Sequence, residues 1–398
     1  MTDNSAPQGS PGEVFRVFLK LGLTSFGGPI AHLGYFRNEM VVRRKWIDEA
    51  GFGDLVALCQ FLPGPASSQT GFALGLLRGG PLGALAAWAG FTLPSAILLV
   101  LFACGATAFE GTIGNGLVHG LKVVAVAVVA QAVWGMARNL APDRTRAGIA
   151  LAAVLIVVFA AGSIGQIAAI VAGGLAGLWL CRNGAAPEAG HLGFRVSKRI
   201  GVTALAVFAL LLILPPVVAD TAHAIALFDA FYRSGSLVFG GGHVVLPLLQ
   251  AEVVPPGWVG NGAFLTGYGA AQAVPGPLFT FAAYLGAVMG PAPNGVLGAA
   301  IALVAIFLPG LLLLIGALPF WDELRSRPLA QAAMRGTNAA VVGILAAALY
   351  NPVWRSAILT PYDFALALSA FVLLTVWKTP PWIVVVLTAA GGVALGLI

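Results

Sequence analysis

Along this chain apolar runs alternate with short polar loops, and many runs stay nearly free of charge over the roughly 20 residues that cross a bilayer. Spanning helices are predicted at 82–109, 113–137, 147–161, 164–181, 200–219, 296–320, 336–350, 364–377 and 382–398. Two regions before residue 80 do not fit this pattern. Residues 14–42 look helical but carry Arg16, Lys20, His32, Arg37 and Glu39, and they are interrupted at Ser25-Phe26-Gly27-Gly28-Pro29. Each side of the break offers about 13 residues, or roughly 20 Å of helix, which suggests a broken or re-entrant element. Residues 48–62 and 65–78 are two further half-length helices around Pro63-Gly64-Pro65. A proline lacks the N–H and clashes with the preceding turn, so the helix must break there. Pro65 then suits the first position of a new helix leading into Ala66, Ser67 and Ser68, whose free N–H groups point at the break. At membrane depth such an end is an anion seat.

The pattern then repeats. Phe26-Gly27-Gly28 is answered by Phe239-Gly240-Gly241, and at the same displacement Lys20, Gly22 and Glu39 are answered by Arg233, Gly235 and Glu252. One residue is lost between, after which Trp46, Phe52, Gln60 and Pro63 are answered by Trp258, Phe264, Gln272 and Pro275, so that Pro275-Gly276-Pro277 is the second proline-glycine-proline break. An ordered set of this kind predicts an internal repeat. The expected organisation is a cytoplasmic tail at 1–12, a first repeat at 13–181, a polar linker plus an extra helix at 182–220, and a second repeat at 221–398.

Composition and charge sharpen this picture. Of 398 residues 59% are hydrophobic and 9% charged, more apolar surface than a soluble domain can hide, so the chain reads as an all-α polytopic membrane protein. The formal charge of +6 resides in short loops and helix ends, where it marks topology and gives no sign of nucleic acid. Cys59, Cys104 and Cys181 lack any paired spacing, and the histidines are scattered, so neither a disulfide framework, a metal site, a cofactor site nor a catalytic constellation is expected. If the basic clusters at 43–45, 138–146 and 182–199 face the cytoplasm, the extra helix at 200–219 delivers the second repeat to the opposite side. With both broken elements re-entrant there are nine crossings and the loop holding Arg325, Arg327 and Arg335 is also cytoplasmic; with both fully spanning there are about 13, and only the Arg43–Lys45 cluster is misplaced. Either count inverts the halves, a recurring plan of secondary transporters.

The motifs Phe-Gly-Gly-Pro at 26–29, Arg-Arg-Lys-Trp at 43–46 and Gln-Phe-Leu-Pro-Gly-Pro at 60–65, with their echoes, resemble those of the chromate ion transporter family, two-domain long-chain type, from Val14 to Ile398. That resemblance implies export of chromate from the bacterial cytoplasm across the inner membrane and chromate resistance, with sulfate as a structural analogue. A sulfate or other oxyanion exchanger, or an anion channel, is the alternative reading. The lipid bilayer is the expected surrounding, and a homodimer is an expected assembly. The chain departs from its own first half where Pro29 is answered by Gly242, Ser25 by Val238, and the basic cluster by Pro255-Pro256-Gly257.

A buried tetrahedral dianion needs donors in place of water and charge to offset desolvation. The candidate substrate-binding residues are Ser25, Phe26, Gly27, Gly28, Arg37, Gln60, Pro63, Gly64, Pro65, Ser67, Ser68 and Arg78 in the first half. Phe239, Gly240, Gly241, Gln272, Pro275, Gly276 and Pro277 are the candidates in the second. No Lys, Arg, Asp, Glu or His occurs between Glu252 and Asp322, so charge is expected mainly from the first half. Glu39 and Glu252 are candidate coupling carboxylates; Arg37 and Glu39 could equally pair with each other. Arg43, Arg44 and Lys45 read as a topology cluster before they read as ligands. Gly71, Gly75 and Gly79 are expected to let helices approach, and Lys122 either faces a cavity or snorkels. His32 and His243 do not align under the repeat, which argues against a shared role.

Overall fold

The computed structural model describes residues 9–105, 111–160, 162–182, 194, 196–325 and 327–397; the first eight residues and most of the linker, with His191 and Arg195, lie outside the described set. The described elements are helical throughout. Helix α1 (Pro11–Thr24) starts on a Ser10 cap that accepts from the Glu13 N–H and buries Val14, Val17, Phe18 and Leu21 at helical spacing. That stripe packs along α4 (Ala66–Gly105), where Val14 meets Gly79 and Gly83 and Gly22 meets the Gly90 carbonyl. The chain breaks at Ser25, returns as α2 (Gly28–Phe36) and ends in a wider π turn over Arg37–Arg43. Arg44 then lies 3.9 Å from Glu13, so α1 and α2 start and finish at one end of the molecule.

The next element behaves alike. Helix α3 (Glu49–Phe61) begins where Glu49 accepts from Arg37 at 2.6 Å, breaks at Pro63-Gly64-Pro65, and continues as the first arm of α4 to Arg78, which reaches Glu13 at 3.3 Å. At Gly79 and Gly80 the backbone leaves helical angles and α4 folds back on itself, so a Cβ on Gly75 would sit 2.4 Å from the Gly83 carbonyl. The 40-residue helix is therefore two helices, a short arm at 66–79 and a long arm at 81–105. Close approach at Gly71 and Gly75 follows the expectation from their spacing, against Phe18 and Gly83 respectively.

After α5 (Thr112–Leu140), α6 (Arg144–Phe159), α7 (Ser163–Leu180) and α8 (Lys198–Val218), the plan recurs. Helix α9 (His223–Ser236), a break, α10 (Val245–Val253), α11 (Asn261–Ala271), a second break and α12 (Phe281–Val288) occupy the order of α1, α2, α3 and the short arm of α4. Trp258 ties their outer ends: its ring meets His223 at 4.6 Å and its carbonyl accepts from Gly290 N–H. Gly286 on Gly298 repeats the contact of Gly75 on Gly83. Helix α13 (Gly295–Ala317), about 35 Å long, runs from the Trp258 end to the end where Trp321 of α14 (Trp321–Arg325) donates to Asp54 on α3. Lys198 at the start of α8 meets Glu323 there as well.

Helix α15 (Pro328–Ala348) begins eight residues earlier than the apolar pattern predicts, because Pro328 suits its first turn; Arg335 is thus helical and donates to the Cys181 carbonyl. A π turn and the short α16 (Arg355–Ala357) lead to α17 (Pro361–Thr375) and α18 (Pro381–Gly396). The two halves interlock. Helix α5 packs on α17 and α18 of the second half, while α15 packs on α6 and α7 of the first. Small residues make both crossings close: Gly116 and Gly120 meet Gly392 and Thr388, and Gly173 and Gly177 meet Ala340 and Gly336.

Six helices, or helices with their flanking turns, are long and apolar enough to cross a membrane: Ala66–Gly105, Thr112–Leu140, Ser163–Leu180, Lys198–Thr221, Gly295–Leu324 and Pro328–Ala357. On α8 only 11% of the apolar window is buried, against 61% on α13, so α8 shows its Val202, Leu210, Ile213 and Val217 outward to lipid. This is a multi-pass α-helical membrane protein.

Candidate functional site

The four breaks meet in crosswise pairs. Gly64 N–H of the first half donates to Val238 C=O of the second at 2.7 Å, and Gly276 N–H of the second donates to Ser25 C=O of the first at 2.9 Å. These are equivalent bonds under the repeat. Gly64 and Gly276 take φ of 120° and 99°, a left-handed backbone that glycine adopts without a Cβ clash. Each also abuts the proline kink of the other half's long helix, Gly64 against Gly310 and Gly276 against Ser95. Bonds of this kind pin each proline-glycine-proline loop to the opposite half's phenylalanine-glycine-glycine loop.

Beside the Gly276 pair lies a pocket into which Gly27, Gly28, Gln131, His243, Gln272 and Gly276 face. Two helix starts open on it. Gly27 precedes α2, and Pro277 precedes the turn at Leu278–Thr280 that leads into α12; neither start has a side-chain cap. Their first-turn N–H groups and positive dipole ends, with the amides of Gln131 and Gln272, suit an anion. No Lys, Arg, Asp or Glu is among the described lining residues.

Other candidates fall into distinct places. Ser67 hydroxyl lies 3.3 Å from His32 Nδ1, and Ser25 and Ser68 hydroxyls are buried without a hydrogen-bond partner among the described residues. Gln60 is exposed, whereas Gln272, its counterpart, is half-buried at the pocket. Gln69, absent from the predicted set, bridges Pro63 C=O and Gly310 C=O at 3.0 and 2.9 Å, and Pro65 lies against Gly310. Pro275 and Pro277 are buried, and Pro277 C=O accepts from the Thr280 hydroxyl. Phe26 packs on Trp382, Phe239 on the apolar core, and Gly240 and Gly241 on Met136 of α5.

The structure does not bring the charged candidates to the breaks. Arg37 pairs with Glu49, and Glu39 pairs instead with Arg43 and Arg44 at 2.9 and 2.8 Å. Arg78 pairs with Glu13 and, like Arg44, lies over the Trp46 ring. Lys45 is exposed. In the second half Arg233 bridges Asp229 and Glu252. Burial of the Glu39 carboxylate, which lies in the π turn outside the six candidate spans, disfavours its charge; the hydrogen bond from Arg44 and the charges of Arg43, Arg44 and Lys20 outweigh this and hold its pKa below the ordinary value.

Gln131, Val128 and Pro381 line the pocket without having been singled out in the sequence. Gln131 had a signal: it is the only amide, hydroxyl or charged side chain at positions 123–137. A lone polar group in an apolar span tends to face protein or a cavity.

A profile of the chromate transporter family matches this chain twice, at residues 12–178 and 225–394. Among curated proteins the chain is 30% identical to the chromate transport protein of Pseudomonas aeruginosa, over 98% of this chain and 93% of that one. It is 28% identical to a probable chromate transport protein of Synechococcus elongatus, over 96% and 94% of the two chains, and 26% identical to the chromate transport protein of Cupriavidus metallidurans, over 99% and 94%. No solved structure matches.

Proposed function

We propose that this chain, which belongs to the chromate transporter family, is a secondary transporter that exports chromate from the bacterial cytoplasm across the inner membrane and so confers chromate resistance. One observation carries the reading of the site: an uncharged, polar pocket enclosed by uncapped helix starts from both halves, at the crosswise pair of breaks. Backbone N–H groups and amides there replace the water shell of a tetrahedral oxyanion. Such donors read four oxygens and a double charge, which also makes sulfate a competing substrate.

Inverted halves are part of the proposal. Contacts that support it run through α13, which starts beside the outer ends of the second half's broken elements and finishes beside those of the first. The long arm of α4 runs the other way, from Arg78 toward Phe102, which packs on Tyr284 of α12. The end holding Arg37, Arg43, Arg44 and Arg78 also carries Lys198 and is the cytoplasmic face.

Chromate uptake into everted membrane vesicles tests the site. Gln272→Ala and Gln131→Ala each remove a hydrogen bond to a charged ligand and are expected to cut affinity by about tenfold or more. Gln60→Ala is expected to do much less. Loss in Gln60→Ala with normal transport in Gln272→Ala would place the anion at the other pair of breaks.

A further inference from the structure

The pocket must hold a dianion, yet its lining has no fixed positive charge. We propose that His243 is the proton-binding group of this seat, so that one proton and one oxyanion bind together; this rests on reading the pocket as the anion site. No Lys or Arg is among the described lining residues, and several cations are engaged elsewhere. Arg37 is on Glu49, Arg43 and Arg44 on Glu39, and Arg78 on Glu13, all at one face. Arg233 is on Asp229 and Glu252. On α15, which also packs against the His243 turn, Arg335 donates to Cys181 C=O and Gln331. Lys122 on α5 brings its Nζ to Gly262 at the start of α11, whereas the pocket takes Ala271 and Gln272 at the far end, roughly 14 Å along the helix.

His243 is the one imidazole among the described lining residues, and its Nδ1 lies 2.7 Å from the Tyr268 hydroxyl. That partner suits a ring that gains and loses a proton. Tyrosine can donate to a neutral Nδ1 or accept from a protonated one by turning its O–H, so neither state forfeits the bond. Besides His243, the polar side chains among the described lining residues are Gln131 and Gln272, with no carboxylate. An imidazolium buried without a counter-charge is costly, and the arriving oxyanion supplies the counter-charge. Proton and anion therefore raise each other's affinity by the same factor. Bound charge is reduced by one relative to the free dianion.

The test is proton uptake on sulfate binding to the purified full-length protein, measured by titration calorimetry in buffers of different ionisation enthalpy. Sulfate is the probe because it stays a dianion across the neutral range, whereas chromate itself takes up a proton there. Close to one proton should enter per sulfate bound, and affinity should tighten about tenfold per unit fall in pH while the empty ring is neutral. His243→Gln should bind more weakly, with no uptake and no pH dependence. Sulfate binding by the wild-type protein without proton uptake overturns the proposal, as does uptake that persists in His243→Gln. Weakened binding in Gln272→Ala alongside either result leaves the pocket reading standing while the role of His243 falls. Unchanged binding in Gln272→Ala moves the anion out of this pocket and removes the reading beneath the proposal.

Discussion

A single carbon added at Gly276 would sit 2.8 Å from Ser95 Oγ and 3.1 Å from the Phe91 carbonyl, on a backbone already left-handed. Gly64 is equally confined, 3.0 Å from the Gly310 Cα. Gly276→Ala and Gly64→Ala are each expected to destabilise the protein by about 1–3 kcal/mol, seen as a lower melting temperature of the purified protein. An unchanged melting point in both would contradict the crosswise pinning of the breaks. Glu39 makes a second prediction at this scale. Its folded-state pKa is depressed, so its contribution is complete above the ordinary glutamate range and is lost as pH falls through the lower folded value. Melting curves across that acid range should show Glu39→Gln losing part of the wild-type pH dependence. What the sequence shows of these residues is uneven. Broken helices are legible because proline and glycine act locally, but ion pairing is not. Arg37 finds Glu49, and Arg44 finds Glu13 as well as Glu39, because the broken elements return the chain to one end of the molecule, a tertiary fact with no local signature.

Among the elements, the reciprocal crossings of α5 with α18 and α15 with α7 are close because glycines of the paired helices face each other. A Cβ on Gly336 would lie 2.1 Å from the Gly173 carbonyl, whereas one on Gly135 of α5 meets nothing within 4 Å. Gly336→Leu is therefore expected to reduce the yield of folded protein severely, and Gly135→Leu to leave it near wild type, by size-exclusion profile in detergent. Equal tolerance of both would show that the crossing is looser than these distances require. Over its described residues each of the nine predicted spans falls mainly on a helix, because apolar length is a local property. Their exchange between halves was not legible: the pairing of α5 with α17 and α18 joins residues more than 200 positions apart. The misalignment of His243 with His32 under the repeat argues only against a shared role, and nothing local in the sequence marks His243 as lining a pocket. The structure brings it to the pocket through the turn after Gly241, a position set by backbone geometry.

For the whole molecule, two copies of one half-fold meet at their breaks, with Arg37, Arg43, Arg44 and Arg78 at one end and the uncharged loop Pro255-Pro256-Gly257 at the other. In the inverted arrangement proposed above, an odd number of crossings between the copies would turn the second over, with α8 as the extra one. The direct test places single cysteines at exposed positions in a cysteine-free background, Lys45→Cys in the first half and Pro256→Cys in the second, and labels each with a membrane-impermeant maleimide. Residue 45 should react only from the cytoplasmic side and residue 256 only from the outside; reaction of both from the same side would contradict the inverted halves and the seat built between them.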